Sequence, residues 1–261
     1  MKISIVTPSY NQAGFIVDAL KSVQEQQHLD CEHIVVDNCS SDDTLAILNK
    51  YPHVRLLREP DYGQSDALNK GFKMAQGDII GWLNADDRYL PQCFKTVTDY
   101  FTANPQCDVL YGDYRLIDGN GDVLSVRKEV GFDLFMLKYL HVLCIPSTTT
   151  FFRRRIFDEG HYLNTSYHYA MDYEFFLRLA LEGYHFEHCP SLLADFRTHP
   201  DSKSQRETKV QKDEMEKALI EKDMFLNRLK GPWQGMARNS LMVVARSKRC
   251  GMKFLQGAYF Q

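Results

Sequence analysis

The sequence lacks paired cysteines, and this excludes two kinds of small scaffold. Its seven cysteines are an odd number, are scattered over 261 residues and include no CxxC pair. A disulfide framework usually needs an even set of cysteines, and a zinc knuckle needs closely spaced pairs. We therefore expect reduced thiols, as in a cytosolic protein.

Long apolar runs and a strong charge of one sign are also missing. No stretch approaches the roughly 18 uncharged apolar residues that span a bilayer, and no basic and then apolar leader precedes Ile3. The formal net charge of −3 gives no electrostatic reason to expect a nucleic-acid partner. With 44% hydrophobic residues, the chain can bury a full core. The composition predicts a protein that is soluble or at most peripheral to a membrane.

Glycine-rich phosphate loops are absent as well. Neither GxGxxG nor GxxxxGK[ST] occurs in the sequence, so a Rossmann dinucleotide site and a P-loop are disfavoured. If this chain binds a pyrophosphate, its charge must therefore be balanced in another way. A metal ion is the expected solution.

The sequence does contain a short apolar strand with polar residues at its end. Apolar residues run from Ile79 to Leu83 after Gly77, and Asn84, Asp86 and Asp87 follow them. Ligands of open parallel sheets bind outside the carboxyl ends of the strands. Oxygen ligands placed there suit Mg²⁺ or Mn²⁺. Taken alone, the acidic pair is also consistent with a solvated turn before a helix.

Strands and helices alternate through the first part of the chain. Strands are predicted at 2–7, 33–36, 54–57 and 79–83. Helices are predicted at about 13–27, in a short stretch that ends at about residue 50, and at 64–76. This alternation implies right-handed crossovers and a mostly parallel sheet. The strand ends at Thr7, Asp37 and Asn84 are then expected to share one edge. That edge is the predicted site.

The segments 6–11, 35–44, 63–71 and 83–87 follow one another with a characteristic order and spacing. Their sequences are VTPSYN, VVDNCSSDDT, GQSDALNKG and LNADD. In these segments the chain resembles the family 2 inverting glycosyltransferases of GT-A fold, over residues 1 to about 204. The resemblance implies a GT-A type α/β catalytic domain over 1–204, with a mostly parallel central sheet flanked by helices. Residues 205–261 would then form a helical, basic C-terminal extension.

The resemblance also implies which residues bind a nucleotide diphosphate-sugar donor, linked to UDP, GDP or dTDP. The expected donor contacts are Pro8, Tyr10, Asn11, Asp37, Asp66, Asn84, Ala85 and Asp86. Asn84 and Asp86 stand at the two ends of the family's DxD motif, where aspartate is more common than Asn84. An amide can still hydrogen-bond a ribose hydroxyl. On local grounds alone, Asp37 is equally typical of a turn cap, and Asp66 of a residue that favours its helix dipole.

The metal ligands and the catalytic base likewise follow from the resemblance. Asp86 is expected to hold Mg²⁺ or Mn²⁺, and His199 lies in a segment similar to the family's closing loop, whose histidine reaches the metal. Asp172 is the expected base, although Met171 stands where the family has a glutamate. Without the family match, Asp172 is typical of a helix cap and His199 of a surface turn.

The end of the chain departs from this pattern. Residues 205–229 are typical of a charged helix, and residues 233–261 contain five basic residues and no acidic ones. Apolar residues lie between the basic ones, as in amphipathic helices that contact anionic membranes. Packing on the domain or on a partner subunit is the open alternative.

We therefore expect an inverting glycosyltransferase that moves a sugar from a nucleotide diphosphate-sugar to an acceptor hydroxyl. Its expected setting is surface polysaccharide or lipid-linked glycan assembly, in the cytoplasm or peripherally at the inner face of the cell membrane. Two alternatives stay open. A nucleotidyltransferase that makes sugar nucleotides would normally show a Gly-rich, basic loop, and residues 7–12 contain no basic residue. A sugar-nucleotide binding protein would bind the donor without turnover.

Overall fold

A computed structural model describes residues 1–26, 30–140, 145–200, 208–229 and 231–255. Strands and helices alternate in its first part, as the sequence predicts, with ends that differ by a few residues. These elements are β1 (Ile3–Ser9), α1 (Ile16–Gln24), β2 (Cys31–Asp37), α2 (Thr44–Leu48), β3 (Val54–Arg58), α3 (Gln64–Met74) and β4 (Ile79–Trp82).

The middle of the chain adds shorter strands and helices. They are β5 (Arg88–Tyr89), α4 (Cys93–Ala103), β6 (Val109–Ile117), β7 (Val123–Arg127), α5 (Leu134–Tyr139), β8 (Thr150–Arg153), α6 (Arg155–Asp158), α7 (Met171–Leu181) and β9 (Phe186–Arg197). A short 3-10 helix, Ser147–Thr149, precedes β8. The sequence does not predict β9, because Pro190 and charged residues interrupt its apolar pattern.

The strands form one sheet with the order β3-β2-β1-β4-β8-β6-β9-β5, and β7 pairs with β6. Neighbouring strands from β3 to β4 are parallel, and β8 then runs antiparallel to both β4 and β6. The predicted α/β class is confirmed. The strand ends predicted to share an edge belong to the parallel part, where Ser9 lies opposite Asp37.

The central strands fill a core on each face of the sheet, because successive strand residues point to opposite sides. Val6 and Ile80 pack with residues of α3 and α7 on one face. Ile5 and Ile79 pack with residues of α1 and α4 on the other. Helices on both faces hold the sheet firmly, and the residues at its strand ends gain fixed positions.

Gly71 allows α3 to lie close against β1. A Cβ atom at this position would lie 2.2 Å from Cγ1 of Val6, far inside van der Waals contact. Any larger residue would push the helix away from the sheet. This close packing places Gln64, the first residue of α3, beside the strand ends.

Three further helices complete the described chain: α8 (Thr208–Lys222), α9 (Met224–Arg228) and α10 (Pro232–Leu255). Met215 and Ala218 of α8 are buried in the core that contains Met171 and Tyr173. The domain boundary predicted at 204 lies outside the described residues and stays a prediction. Among the described residues, no helix combines the length and the apolar character needed to cross a membrane.

Candidate active site

A cleft of about 430 Å³ opens where β1, β4 and β9 end. The N-terminal ends of α3 and α7, together with α8, complete its walls. Its volume suits a small organic ligand. The predicted site residues that line the cleft are Pro8, Tyr10, Asn84, Ala85, Asp86, Asp172 and His199.

Asn84 is held in one orientation by its neighbours. Its Oδ1 accepts hydrogen bonds from Nε1 of Trp82 and Nε2 of Gln64, each at 2.9 Å. An indole N–H can only donate, so the Trp82 contact identifies the oxygen of the Asn84 amide. The Nδ2 atom of Asn84 donates to Asp87 at 2.9 Å. The side chain of Asn84 therefore links the end of β4 to the start of α3 through hydrogen bonds.

Asp87 joins three parts of the site. Its buried carboxylate accepts hydrogen bonds from Asn84, from the hydroxyl of Thr148 and from the backbone N–H of Arg197. Burial raises the pKa of Asp87, and the negative charge of Asp86 raises it further. The sequence places Asp87 at this strand end without assigning it a role. In the structure it ties the end of β4 to the 3-10 helix and to β9.

Asp86 and His199 lie side by side in the cleft. Oδ2 of Asp86 is 3.2 Å from Nε2 of His199, and their side chains are 23% and 10% exposed. Nε of Arg197 donates to the Asp86 carbonyl at 2.8 Å. The ring of Phe15 packs on that of His199, with centroids 4.5 Å apart. The two side chains predicted to share a metal are thus held together.

This pair fits a divalent ion that takes further ligands from a substrate. One carboxylate and one imidazole leave most coordination positions to water and phosphate oxygens, as is common for Mg²⁺. Within the described ranges, no group of three or more His, Cys, Asp or Glu side chains is arranged to hold a metal. The residues present therefore suit an ion that binds together with a diphosphate, rather than a closed protein cage.

Asp172 lies in the first turn of α7 and borders the cleft, as predicted. It is the second residue of the helix, and its Oδ1 accepts from the backbone N–H of Tyr173 at 2.8 Å. The N-cap position belongs to Ala170, which has no side-chain cap. The carboxylate is half-buried and faces a ligand-sized space. This placement is compatible with proton transfer.

Three predicted donor contacts do not line the cleft. Asp37 is buried, and its carboxylate accepts from the N–H and Oγ of Ser40 at 2.8 and 2.5 Å, as expected of a turn cap. Asn11 accepts from the N–H of Ser41 at 2.9 Å. Asp66 pairs with Lys70 at 3.4 Å. Their roles in donor binding stay predictions, and their observed bonds stabilise the loops around the cleft.

Several cleft residues were not predicted. Gln64 lies inside the family-like segment 63–71, and Arg197 lies two residues before His199, so their proximity to predicted site residues was the available signal. Gln211 of α8 also lines the cleft, and its Nε2 donates to the carbonyl of Tyr169 at 3.1 Å. It belongs to a charged helix without a recognisable motif, so the sequence carried no signal for it.

Residues 4–160 match the model of the family described as glycosyl transferase family 2. The match covers more than half of the chain, and the chain belongs to this family. It is also similar to the chondroitin synthase of Escherichia coli, with 27% identity over 223 residues. That alignment covers 84% of this chain but only 32% of the relative.

Two solved structures share the fold. TarS of S. aureus in complex with UDP-GlcNAc is 19% identical, with a TM-score of 0.65 over 94% of this chain and 79% of that one. The mannosyltransferase PcManGT of Pyrobaculum calidifontis, in complex with GDP-Man and Mn²⁺, is 15% identical. Its TM-score is 0.64, over 94% of this chain and 73% of that one. The predicted family and GT-A fold class are confirmed.

Proposed function

We propose that this chain transfers a sugar from a nucleotide diphosphate-sugar to an acceptor hydroxyl, with inversion at the anomeric carbon. The observation that carries the proposal is the presence of the Asp86–His199 pair and Asp172 in one cleft of a family 2 glycosyltransferase. Similar proteins support the donor class, since TarS was solved with UDP-GlcNAc and PcManGT with GDP-Man. The similarity to a chondroitin synthase supports a role in polysaccharide assembly.

Each group in the cleft has a separate task in this reaction. Pro8 and Tyr10 lie at the end of β1, where a nucleoside can rest against the half-exposed ring of Tyr10. Asp86 and His199 would hold Mg²⁺ or Mn²⁺, and the bound ion would stabilise the charge of the departing diphosphate. Asp172 accepts the proton of the acceptor hydroxyl as its oxygen bonds to the anomeric carbon and the bond to the diphosphate breaks.

We further infer that α10 provides contact with a cytoplasmic membrane surface. Lys248 and Arg249 form ion pairs with Asp133 and Glu129, and Arg238 pairs with Glu216 of α8, so these basic side chains help to pack α10 on the rest of the chain. The exposed apolar side chains of α10 are Trp233, Met236, Val243, Val244, Phe254 and Leu255. At 100° per residue, these side chains lie on one face of the helix. Membrane contact would then depend on this apolar face more than on charge.

A thermal-shift screen of nucleoside diphosphates with Mn²⁺ tests the donor class, because a ligand that binds only the folded state raises the melting temperature. We expect one or two bases to stabilise the protein, and only when metal is present. Turnover of the matching sugar nucleotide then separates an enzyme from a binding protein. Release of nucleoside diphosphate identifies a glycosyltransferase, whereas a nucleotidyltransferase would release pyrophosphate from a nucleoside triphosphate.

A further inference from the structure

We propose that Glu214 of α8 is a positioning residue that sets the location of Asp172. The inference rests on the proposed function, because it concerns the base of the transfer reaction. Glu214 lies beyond both the family match at 4–160 and the segments that resemble the family. If Glu214 positions Asp172, the reaction also depends on a residue outside those segments.

The carboxylate of Glu214 binds the backbone directly before α7. Its Oε2 accepts from the N–H groups of Tyr169 and Ala170, each at 2.8 Å. Both of its oxygens lie 3.1 Å from the N–H of His168. Asp172 follows Ala170 by two residues, so Glu214 holds the segment that leads into the proposed base.

The N-cap of α7 has no side chain that could hold the start of this helix. The first N–H groups of a helix have no partner within it, and a side chain at the N-cap usually accepts from one of them. Ala170 occupies the N-cap and has no such group. Glu214, which stands 44 positions after Ala170, accepts from the N–H of Ala170 itself and from those of the two residues before it. A negative charge at a helix N-terminus is also electrostatically favourable.

The helix that carries Glu214 is firmly anchored. Met215 and Ala218 are buried in the core together with Ala170 and Met171. At the C-terminal end of α8, Lys222 pairs with Glu174 of α7 at 3.2 Å. The position of the Glu214 carboxylate is therefore fixed relative to the start of α7.

Gln211 strengthens the same link one turn earlier in α8. Its amide donates to the carbonyl of Tyr169, while Glu214 accepts from the N–H of Tyr169. Both polar backbone groups of Tyr169 are thus bound to α8. A reacting group that is misplaced by about 1 Å can lose on the order of 10²-fold in rate. Loosening the segment before Asp172 should therefore lower kcat.

The test compares Glu214→Ala and Glu214→Gln with Glu216→Gln as the matched control. Glu216 lies on the same helix but pairs with Arg238 of α10, away from the segment before α7. We expect Glu214→Ala to lower kcat by roughly 10- to 100-fold, with donor KM and nucleoside diphosphate affinity nearly unchanged. Glu214→Gln should be intermediate, because its amide oxygen still accepts hydrogen bonds. Glu216→Gln should behave like the wild type.

Two further measurements separate positioning from general stability. Hydrogen exchange at the amides of His168, Tyr169 and Ala170 should accelerate in Glu214→Ala and not in Glu216→Gln. If Glu214 acts through Asp172, adding Glu214→Ala to Asp172→Asn should lower kcat little further, since coupled residues are not additive. Fully additive losses, unchanged exchange, or a lower melting temperature with normal kcat per folded molecule would each overturn the inference.

The proposed function fails in a different way. If the wild type turns over no sugar nucleotide, or Asp172→Asn turns it over normally, the transfer reaction or its base is assigned wrongly. The exchange measurement needs no activity and still decides whether Glu214 holds the segment. Normal kcat in Glu214→Ala beside a defective Asp172→Asn overturns positioning alone.

Discussion

Asp86 and His199 are 113 positions apart in the chain, yet Oδ2 of the first lies 3.2 Å from Nε2 of the second. Asp86 follows β4, and His199 follows β9. Arg197 binds the backbone of Asp86, and Phe15 packs on the ring of His199. The contact is therefore supported on both sides, and it carries the proposal of a metal-assisted reaction.

Asp86→Ala should remove most of the metal-dependent affinity for nucleoside diphosphates, because a carboxylate is the strongest ligand that the pair offers to Mg²⁺ or Mn²⁺. His199→Ala should lower turnover more than binding. Calorimetry with and without Mn²⁺ measures both effects. Asp99→Ala, which removes an exposed carboxylate on α4, is the control. Unchanged metal-dependent binding in Asp86→Ala would place the metal elsewhere.

Asp172→Asn should fold normally and bind donor normally, with transfer lowered by about 10² to 10⁴. The amide keeps the size of the side chain and can still accept from the N–H of Tyr173, but it cannot take a proton. Turnover per folded molecule and the melting temperature should be measured together. A lower melting temperature with near-normal turnover would mean that Asp172 stabilises α7 and does not act as the base.

His33 should make the protein less stable in acid. It lies on β2 with Nε2 2.9 Å from Oγ1 of Thr7, and burial lowers its pKa from 6.5 to about 3. The unfolded chain takes up a proton below pH 6.5 and the folded chain does not. The contribution of neutral His33 to the free energy of unfolding is therefore fully present above pH 6.5. It is lost as the pH falls toward 3, by up to about 1.4 kcal/mol per pH unit.

Urea unfolding of the wild type and of His33→Gln at pH 7, 6 and 5 checks this expectation. The variant cannot titrate at this position, so the gap between the two free energies of unfolding should narrow as the pH falls. His185→Gln serves as the control, because His185 is an exposed histidine. A gap that stays constant with pH would contradict the assignment.

Replacing Trp233, Val244 and Phe254 together by serine should weaken binding to anionic liposomes. The three side chains are exposed on one face of α10, and none of them takes part in the ion pairs that Lys248 and Arg249 form with Asp133 and Glu129. Donor binding should stay intact. Co-sedimentation with liposomes of differing lipid charge is the measurement, and exposed Arg246→Gln isolates the contribution of charge. Equal pelleting of the wild type and the triple variant would exclude α10 as a membrane contact.

The sequence by itself determined the secondary-structure elements and segments that are set by local residue patterns. Apolar runs bounded by polar residues identified β1, β2 and β4, and the helical pattern after Met171 placed Asp172 in a first turn. The order of the family-like segments identified the family. The long strand β9 escaped prediction because Pro190 and charged residues interrupt its apolar pattern, and its pairing with β6, with register shifts at Gly112 and Asp113, cannot be read from either segment alone.

Only the tertiary structure decided which of the predicted side chains share a space. Asp37 and Asp66 lie in the family-like segments, where donor contacts were predicted. In the structure they bind neighbouring loop and helix groups and do not line the cleft. Glu214 carries no motif, but it reaches the backbone before Asp172 because α8 packs on α7. Side-chain direction at a strand end and contact between distant helices depend on how all layers pack, and no local pattern encodes that.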